Sequence, residues 1–153
     1  MKSMSVFGVV LFFATLAMGE EKPQPNAREV AEGYVAAVLA GKVDDAKVFA
    51  VEGQSPSRKE RIEEFKELLN VKTLKLVKVF VGEKKGQALA ISETVKLPKA
   101  NPDGTDKGVV LFALIKSGEK WLLKDIDFSS EDATKEKISA FEKKHPDTKE
   151  ILA

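Results

Sequence analysis

The sequence has no cysteine, one histidine and almost no net charge. Without cysteine the chain cannot form disulfides, a thiol nucleophile or a cysteine zinc site. Its 25 basic and 24 acidic residues are interspersed. A strong non-specific nucleic-acid binder needs clustered basic residues, and a polybasic membrane surface needs the same. We therefore expect neither nucleic acid nor a membrane surface as a partner.

Candidate metal ligands are also scarce. The single histidine, His145, stands in KKHPDTK, and we expect it at a solvated helix end, where it suits the helix dipole. Asp44 and Asp45 are neighbours on a predicted helix, so their side chains diverge and are expected to stabilise its N-terminus. The stretch NPDGTD at 101–106 is similar to a calcium loop but has no acidic twelfth ligand. The sequence predicts no metal and no cofactor.

The longest apolar run is too short to span a membrane. Residues 6–17 form about a dozen apolar positions, whereas a membrane span needs about 20. A positive start, a short apolar core and the small residues before Glu20 are typical of a signal peptide over residues 1–19. Residues 20–25 would be a flexible leader. We expect an exported protein, periplasmic or extracellular and free of the membrane after cleavage; an uncleaved signal anchor is the alternative.

Three helices are predicted in the first half of the domain. Asn26 and Glu29 form a capping box before a helix over 27–40, which Gly41 ends. VDDAKVFA at 43–50 indicates a short second helix. Ser57 and Glu60 form a second capping box, and the apolar stripe of RKERIEEFKELLN indicates a third helix with a solvated charged face.

Four β-rich runs follow, joined by two glycine-containing hairpins and one long loop. The runs are 73–82, 87–97, 108–116 and 120–128, a pattern typical of an antiparallel meander. The apolar phase slips between Leu76 and Val77, which indicates a bulge or a bend. A last, loosely packed helix is predicted over 129–145, and 146–153 would be a frayed tail. The fold class is α+β: N-terminal helices on a curved four-stranded antiparallel meander, plus a C-terminal helix.

This arrangement over residues 26–128 resembles the nuclear-transport-factor-2-like (cystatin-like cone) superfamily. The resemblance lies in AREVAEGYVAAVLAGKVDDAKVFA, a long helix, a glycine turn and a short acidic helix, and in the strand GEKWLLKDIDF. It is similar to small secreted bacterial members of unknown function, although it has no lipoprotein cysteine and carries an extra helix. The resemblance implies a cone that either binds ligands or partners or houses an isomerase, dehydratase or cyclase site, so fold alone does not decide function.

The residues of the cone offer one catalytic hypothesis. One face of the last strand carries Trp121, Leu123, Asp125 and Asp127. If this face lines the pocket, Asp125 would be a buried base, with Tyr34 as hydrogen-bond donor. The alternative places Leu122, Ile126 and Phe128 in the core and both aspartates in solvent. One of Glu93 and Thr94 would point into a cavity. The predicted pocket lining is Tyr34, Phe49, Phe65 and Trp121.

We favour a non-catalytic domain that binds a small apolar ligand or a protein. The alternative is a small cofactor-free isomerase- or cyclase-like enzyme. A cystatin-like inhibitor is third, because 82–87 reads GEKKGQ and not Gln-x-Val-x-Gly.

The central strand is apolar on both faces. One face carries Val110, Phe112 and Leu114, and the other carries Val109, Leu111 and Ile115. An uncovered second face would favour a homodimer, unless the last helix folds over it.

Overall fold

A computed structural model describes residues 24–152 of the chain. The predicted signal peptide and all but the last two residues of the predicted leader lie outside these residues. The N-terminal half contains the helices α1 (Ala27–Leu39), α2 (Val43–Lys47) and α3 (Lys59–Leu69), with a 3-10 helix at Ser55–Ser57 before α3. The second half contains the strands and the last helix, so the class is α+β, as predicted.

Local capping signals set the ends of α1. The Asn26 side chain accepts from the backbone N–H of Glu29, and the Glu29 carboxylate accepts from the N–H of Asn26, so the predicted capping box is confirmed. The second predicted box is wrong. Ser57 lies in the 3-10 helix and donates to the Gln54 carbonyl, while Arg58 caps α3 without a side-chain bond.

The sheet has six antiparallel strands where four were predicted. They are β1 (Leu76–Gly82), β2 (Gln87–Ser92), β3 (Val95–Lys96), β4 (Lys107–Ser117), β5 (Lys120–Ser130) and β6 (Lys149–Leu152), with α4 (Glu131–Lys144) between the last two. β5 occupies one edge of β4, and β2 and β3 share the other. β1 pairs with β2, and β6 pairs with β1 at the far side of the sheet.

The second predicted strand divides because Ser92 interrupts it. Its hydroxyl donates to the Glu93 carbonyl and accepts from the N–H of Val110, so a side chain replaces part of the ladder. The Glu93 carboxylate then accepts from the backbone of Lys75, and Thr94 is exposed. The expectation that one of Glu93 and Thr94 points into a cavity is not met.

Two bulges shape the sheet. The register between β1 and β2 shifts between Leu76 and Lys78, which confirms the bulge predicted from the apolar phase. A second shift separates Leu123, opposite Leu114, from Asp125, opposite Ala113. Lys124 is therefore an extra residue in β5, and the side chains beyond it change face.

The sheet is covered on both faces. Helices α1 and α3 pack on the face that carries Val79, Ala90, Val110, Phe112 and Leu114. The opposite face carries a smaller cluster, defined by Phe80, Leu89, Ile91 and Leu111, and Ile138 and Phe141 of α4 pack on it. The last helix therefore covers the second face within one chain, which removes the uncovered face on which the homodimer argument rested.

The C-terminal end is anchored, contrary to two expectations. His145 is 2% exposed, stacks on Phe141 with ring centroids 4.3 Å apart and meets the Gln87 amide oxygen at 3.1 Å, so it is not a solvated helix end. Residues 149–152 pair with β1 and are not a frayed tail. The Asp147 carboxylate accepts from the backbone of Lys84 and holds the turn between α4 and β6.

Candidate functional site

A pocket of about 160 Å³ lies between the helices and β5. Tyr34 contributes from α1, Ser55 and Pro56 from the 3-10 helix, and Ile126 and Phe128 from β5. The remaining side chains come from one face of α3: Arg61, Glu64, Phe65 and Leu68. We call this the mouth pocket.

The spacing on α3 explains its contribution. Residues 61, 64, 65 and 68 recur at three- and four-residue intervals, so they form one stripe along the helix. Phe65 is buried at the base of this stripe, and Leu68 is 39% exposed at the rim. The stripe therefore presents an apolar floor and a partly polar rim.

The bulge at Lys124 explains the contribution of β5. Before it, Trp121 and Leu123 face the helices, and after it Ile126 and Phe128 also face them. Without the extra residue, Asp125 and Asp127 would take these inward positions, because strand side chains alternate with period two.

Aromatic rings form most of the floor. The Phe65 ring lies 6.4 Å from Tyr34 and 5.9 Å from Phe128, centroid to centroid, and meets Phe112 at 6.2 Å with an interplanar angle of 81°. These distances lie in the range of favourable aromatic pairs. Phe112 is fully buried beneath Phe65, so side chains fill the core below the floor of the pocket.

The Tyr34 hydroxyl has a structural partner. The side chain is 1% exposed, and its hydroxyl donates to the Pro56 carbonyl at 2.8 Å. Burial raises the pKa of this phenol above its ordinary value. Tyr34 therefore ties α1 to the 3-10 helix and stays protonated, which does not suit the role of an acid–base group near neutral pH.

Opposite charges meet at the rim. The Arg61 guanidinium donates to the Glu64 carboxylate at 2.9 Å, and both side chains are more than half exposed. These are the ionisable groups that line the mouth pocket besides Tyr34. Because their charges cancel, the rim is polar but carries no net charge.

The structure brings together only two of the four predicted lining residues, Tyr34 and Phe65. Phe49 lies against Gly33 on the outer side of α1, beside a separate groove. Trp121 is buried in the core, with the Lys116 ammonium 5.7 Å from its ring centre. The alternative prediction is right for Ile126 and Phe128, which face the helices, and wrong for Leu122, which lies opposite Ile115 on the other face of the sheet.

The hypothesis of a buried Asp125 is wrong. Asp125 lies beyond the bulge on the outward face, is exposed, and accepts from the N–H of Ile126 at 2.9 Å. Asp127 is likewise outside and pairs with Lys137 of α4 at 2.7 Å. Both predicted alternatives assumed an unbroken strand, whereas the bulge places Trp121 and Phe128 on the same face.

The acidic residues that the sequence offered as candidate metal ligands have other partners. Asp44 lies 4.0 Å from Lys47 of the same short helix, and Asp103 accepts from Thr105 within its turn. Hydrogen bonds from the Thr105 hydroxyl and backbone lower the pKa of Asp103. Within the part of the chain that the structure describes, no three histidine or acidic side chains are arranged to hold a metal ion.

Among residues 24–152, no helix is long and apolar enough to cross a membrane.

Comparisons with known proteins give a weak structural likeness. No protein-family model matches the sequence, and no curated protein matches it. A solved structure described as a calcium/calmodulin dependent protein kinase II association domain from Xanthomonas campestris is 19% identical, with a TM-score of 0.36. The match covers 70% of this chain and 89% of that chain. A likeness of this size identifies neither a family nor an activity.

Proposed function

We propose that this protein is an exported, non-catalytic domain of the nuclear-transport-factor-2-like type, which binds a small apolar ligand in the mouth pocket. The observation that carries the proposal is the composition of that pocket. Its floor is made of aromatic and aliphatic side chains, and its ionisable groups are paired or hydrogen-bonded. Ligand sites commonly combine an apolar lining with a few polar groups.

The same pocket does not favour the enzyme alternative. Proton transfer needs an acid or base within hydrogen-bond reach of the substrate. Asp125 lies on the other side of β5, and the Tyr34 hydroxyl is held by Pro56. The Glu64 carboxylate does line the pocket, but it is exposed at the rim and paired with Arg61, not enclosed beside a substrate. We therefore expect that an Asp125→Asn variant keeps any ligand that the unmodified protein retains.

Native mass spectrometry of the protein purified from a bacterial periplasm tests the proposal. We expect an N-terminus at Glu20 and a retained small molecule. The variant that tests the position of the ligand is Leu68→Trp. Leu68 lines the rim and is partly exposed, so a larger ring can fill the pocket without disturbing the core. Loss of the bound mass in that variant places the ligand in the mouth pocket, and retention would refute the assignment.

The oligomeric state needs its own measurement. A homodimer stays a prediction, but α4 already packs on the second sheet face, so a pair of chains would have to use another surface or displace α4. Light scattering at micromolar concentration distinguishes one subunit from two. The absence of nucleic acid and membrane partners also stays a prediction.

A further inference from the structure

The mouth pocket has a size, a lining and a charge pattern that together restrict its ligand. We propose that the ligand is a neutral compound with one aromatic ring and one substituent, such as a hydroxyl or an amide, that both donates and accepts hydrogen bonds. This inference rests on the proposed ligand-binding function and narrows it to a chemical class.

Volume limits the buried part of the ligand to one ring. The pocket measures about 160 Å³, and an apolar protein cavity of about 150 Å³ takes a molecule the size of benzene. A fused polycyclic ligand would leave its further rings in solvent at the open rim, or would have to displace Phe65 or Tyr34, which are both buried.

The floor favours an aromatic ring over an aliphatic one. The Phe65 and Phe128 rings form a tilted pair with centroids 5.9 Å apart and an interplanar angle of 59°, and Tyr34 adds a third ring beside Phe65. A flat guest can meet these rings edge to face or offset, and such aromatic contacts add to the stabilisation from burial alone. A puckered ring of equal size gains the burial without these contacts.

The rim favours a neutral group with dual hydrogen-bonding character. Arg61 offers donors that its single bond to Glu64 does not use, and the Glu64 carboxylate offers further acceptor positions. A hydroxyl can accept from the guanidinium and donate to the carboxylate in the same pose. A carboxylate ligand would face Glu64, and an ammonium ligand would face Arg61, so either charge meets repulsion as well as attraction.

The test compares four probes of similar size. The purified protein is titrated with p-cresol, benzoate, benzylamine and cyclohexanol, and the chemical shifts of its backbone amides are followed by NMR. We expect saturable shifts at Phe65 and Phe128 with p-cresol, and binding about fivefold or more weaker for the other three probes. Benzoate or cyclohexanol binding as tightly as p-cresol would overturn the inference.

Two single substitutions at the rim provide matched variants. Glu64→Gln leaves Arg61 unpaired, so benzoate should gain about fivefold. Arg61→Gln leaves Glu64 unpaired, so benzylamine should gain by a similar factor. Both residues are exposed, so the fold should be unaffected. An unchanged order of probes in both variants would show that the rim does not select the ligand.

The two proposals fail in distinguishable ways. If the periplasmic protein retains a molecule that Leu68→Trp excludes, but that molecule is charged or aliphatic, the ligand class is wrong and the proposed function stands. If no probe binds and no molecule is retained, the mouth pocket is not a ligand site and both proposals are wrong.

Discussion

Replacement of His145 by alanine should loosen the C-terminal end of the protein. The imidazole ring fills a site between Phe141, the start of β2 and Gly82, where a methyl group added to the glycine would lie 2.8 Å from the ring. Its Nε2 atom meets the Gln87 amide, and its Nδ1 atom is buried with no hydrogen-bond partner among the described residues. Within residues 138–151, no other side chain is as deeply buried.

The magnitude follows from what the ring contributes. Removing a buried ring leaves a cavity, and its contact with Phe141 and its bond to Gln87 are each worth about 1 kcal/mol. With the cavity included, we expect His145→Ala to lower the free energy of unfolding by about 3 kcal/mol. His145→Phe keeps the ring and removes the unpaired Nδ1, so its loss should stay below about 1.5 kcal/mol.

Urea unfolding measures the total effect, and hydrogen exchange shows where it acts. Amides of β6 and the last turn of α4 should exchange faster in His145→Ala than in the unmodified protein, while those of β4 follow global stability. Lys143→Ala, at an exposed neighbouring position, serves as the control and should change stability by less than about 0.5 kcal/mol. If His145→Ala behaves like this control, the ring is solvated and the packing described above is wrong.

Three further substitutions and one titration test separate parts of the structure. Gly33→Ala places a methyl group 2.6 Å from the Phe49 ring, so the ring must move. Alanine inside α1 gains about 1 kcal/mol over glycine and offsets part of this cost, so the net loss in urea unfolding should be about 0–2 kcal/mol. Ser130→Ala removes the N-cap of α4 and should lose about 1 kcal/mol, measured in the same way. Tyr34, the only tyrosine, should resist ionisation in an ultraviolet pH titration, because burial raises its pKa. Its contribution to the free energy of unfolding is present below the unfolded pKa of about 10 and is lost as the pH rises through the folded pKa. The backbone N–H of Lys84 in the β1–β2 hairpin lowers the pKa of Asp147. The contribution of Asp147 to the free energy of unfolding is therefore present above the ordinary pKa of 3.8 and is lost as the pH falls through the folded pKa. Asp147→Asn should reduce this loss of stability in unfolding measured against pH.

Helices were predictable where their signals are local. The capping box of Asn26 and Glu29 needs only residues that are three positions apart, and the predicted helix over 27–40 matches α1 to within one residue. The second box had the same spacing but failed, because Ser57 is the last residue of a 3-10 helix that begins at Ser55 and contains Pro56. A capping pattern therefore predicts a helix start only when the preceding residues allow the N-cap residue an extended backbone conformation.

The C-terminal region was mispredicted because its contacts are distant in sequence. Histidine among lysines and beside proline is typical of an exposed helix end. Its burial depends on Gln87, which is 58 positions away, and on the last strand, β6, pairing with the first, β1. No local pattern in DTKEILA encodes a partner strand, so the sequence indicated a tail.

The location of the site depends on one residue that no periodicity revealed. Read as an unbroken strand, WLLKDIDF places either Trp121 and Asp125 or Ile126 and Phe128 inside, and the choice decides between a carboxylate pocket and an apolar one. The bulge at Lys124 brings Trp121 and Phe128 to one face and leaves both aspartates outside. Because a bulge is fixed by pairing with the neighbouring strand, here at Ala113 and Leu114, the chemistry of this pocket is a property of the sheet and could not be derived from β5 alone.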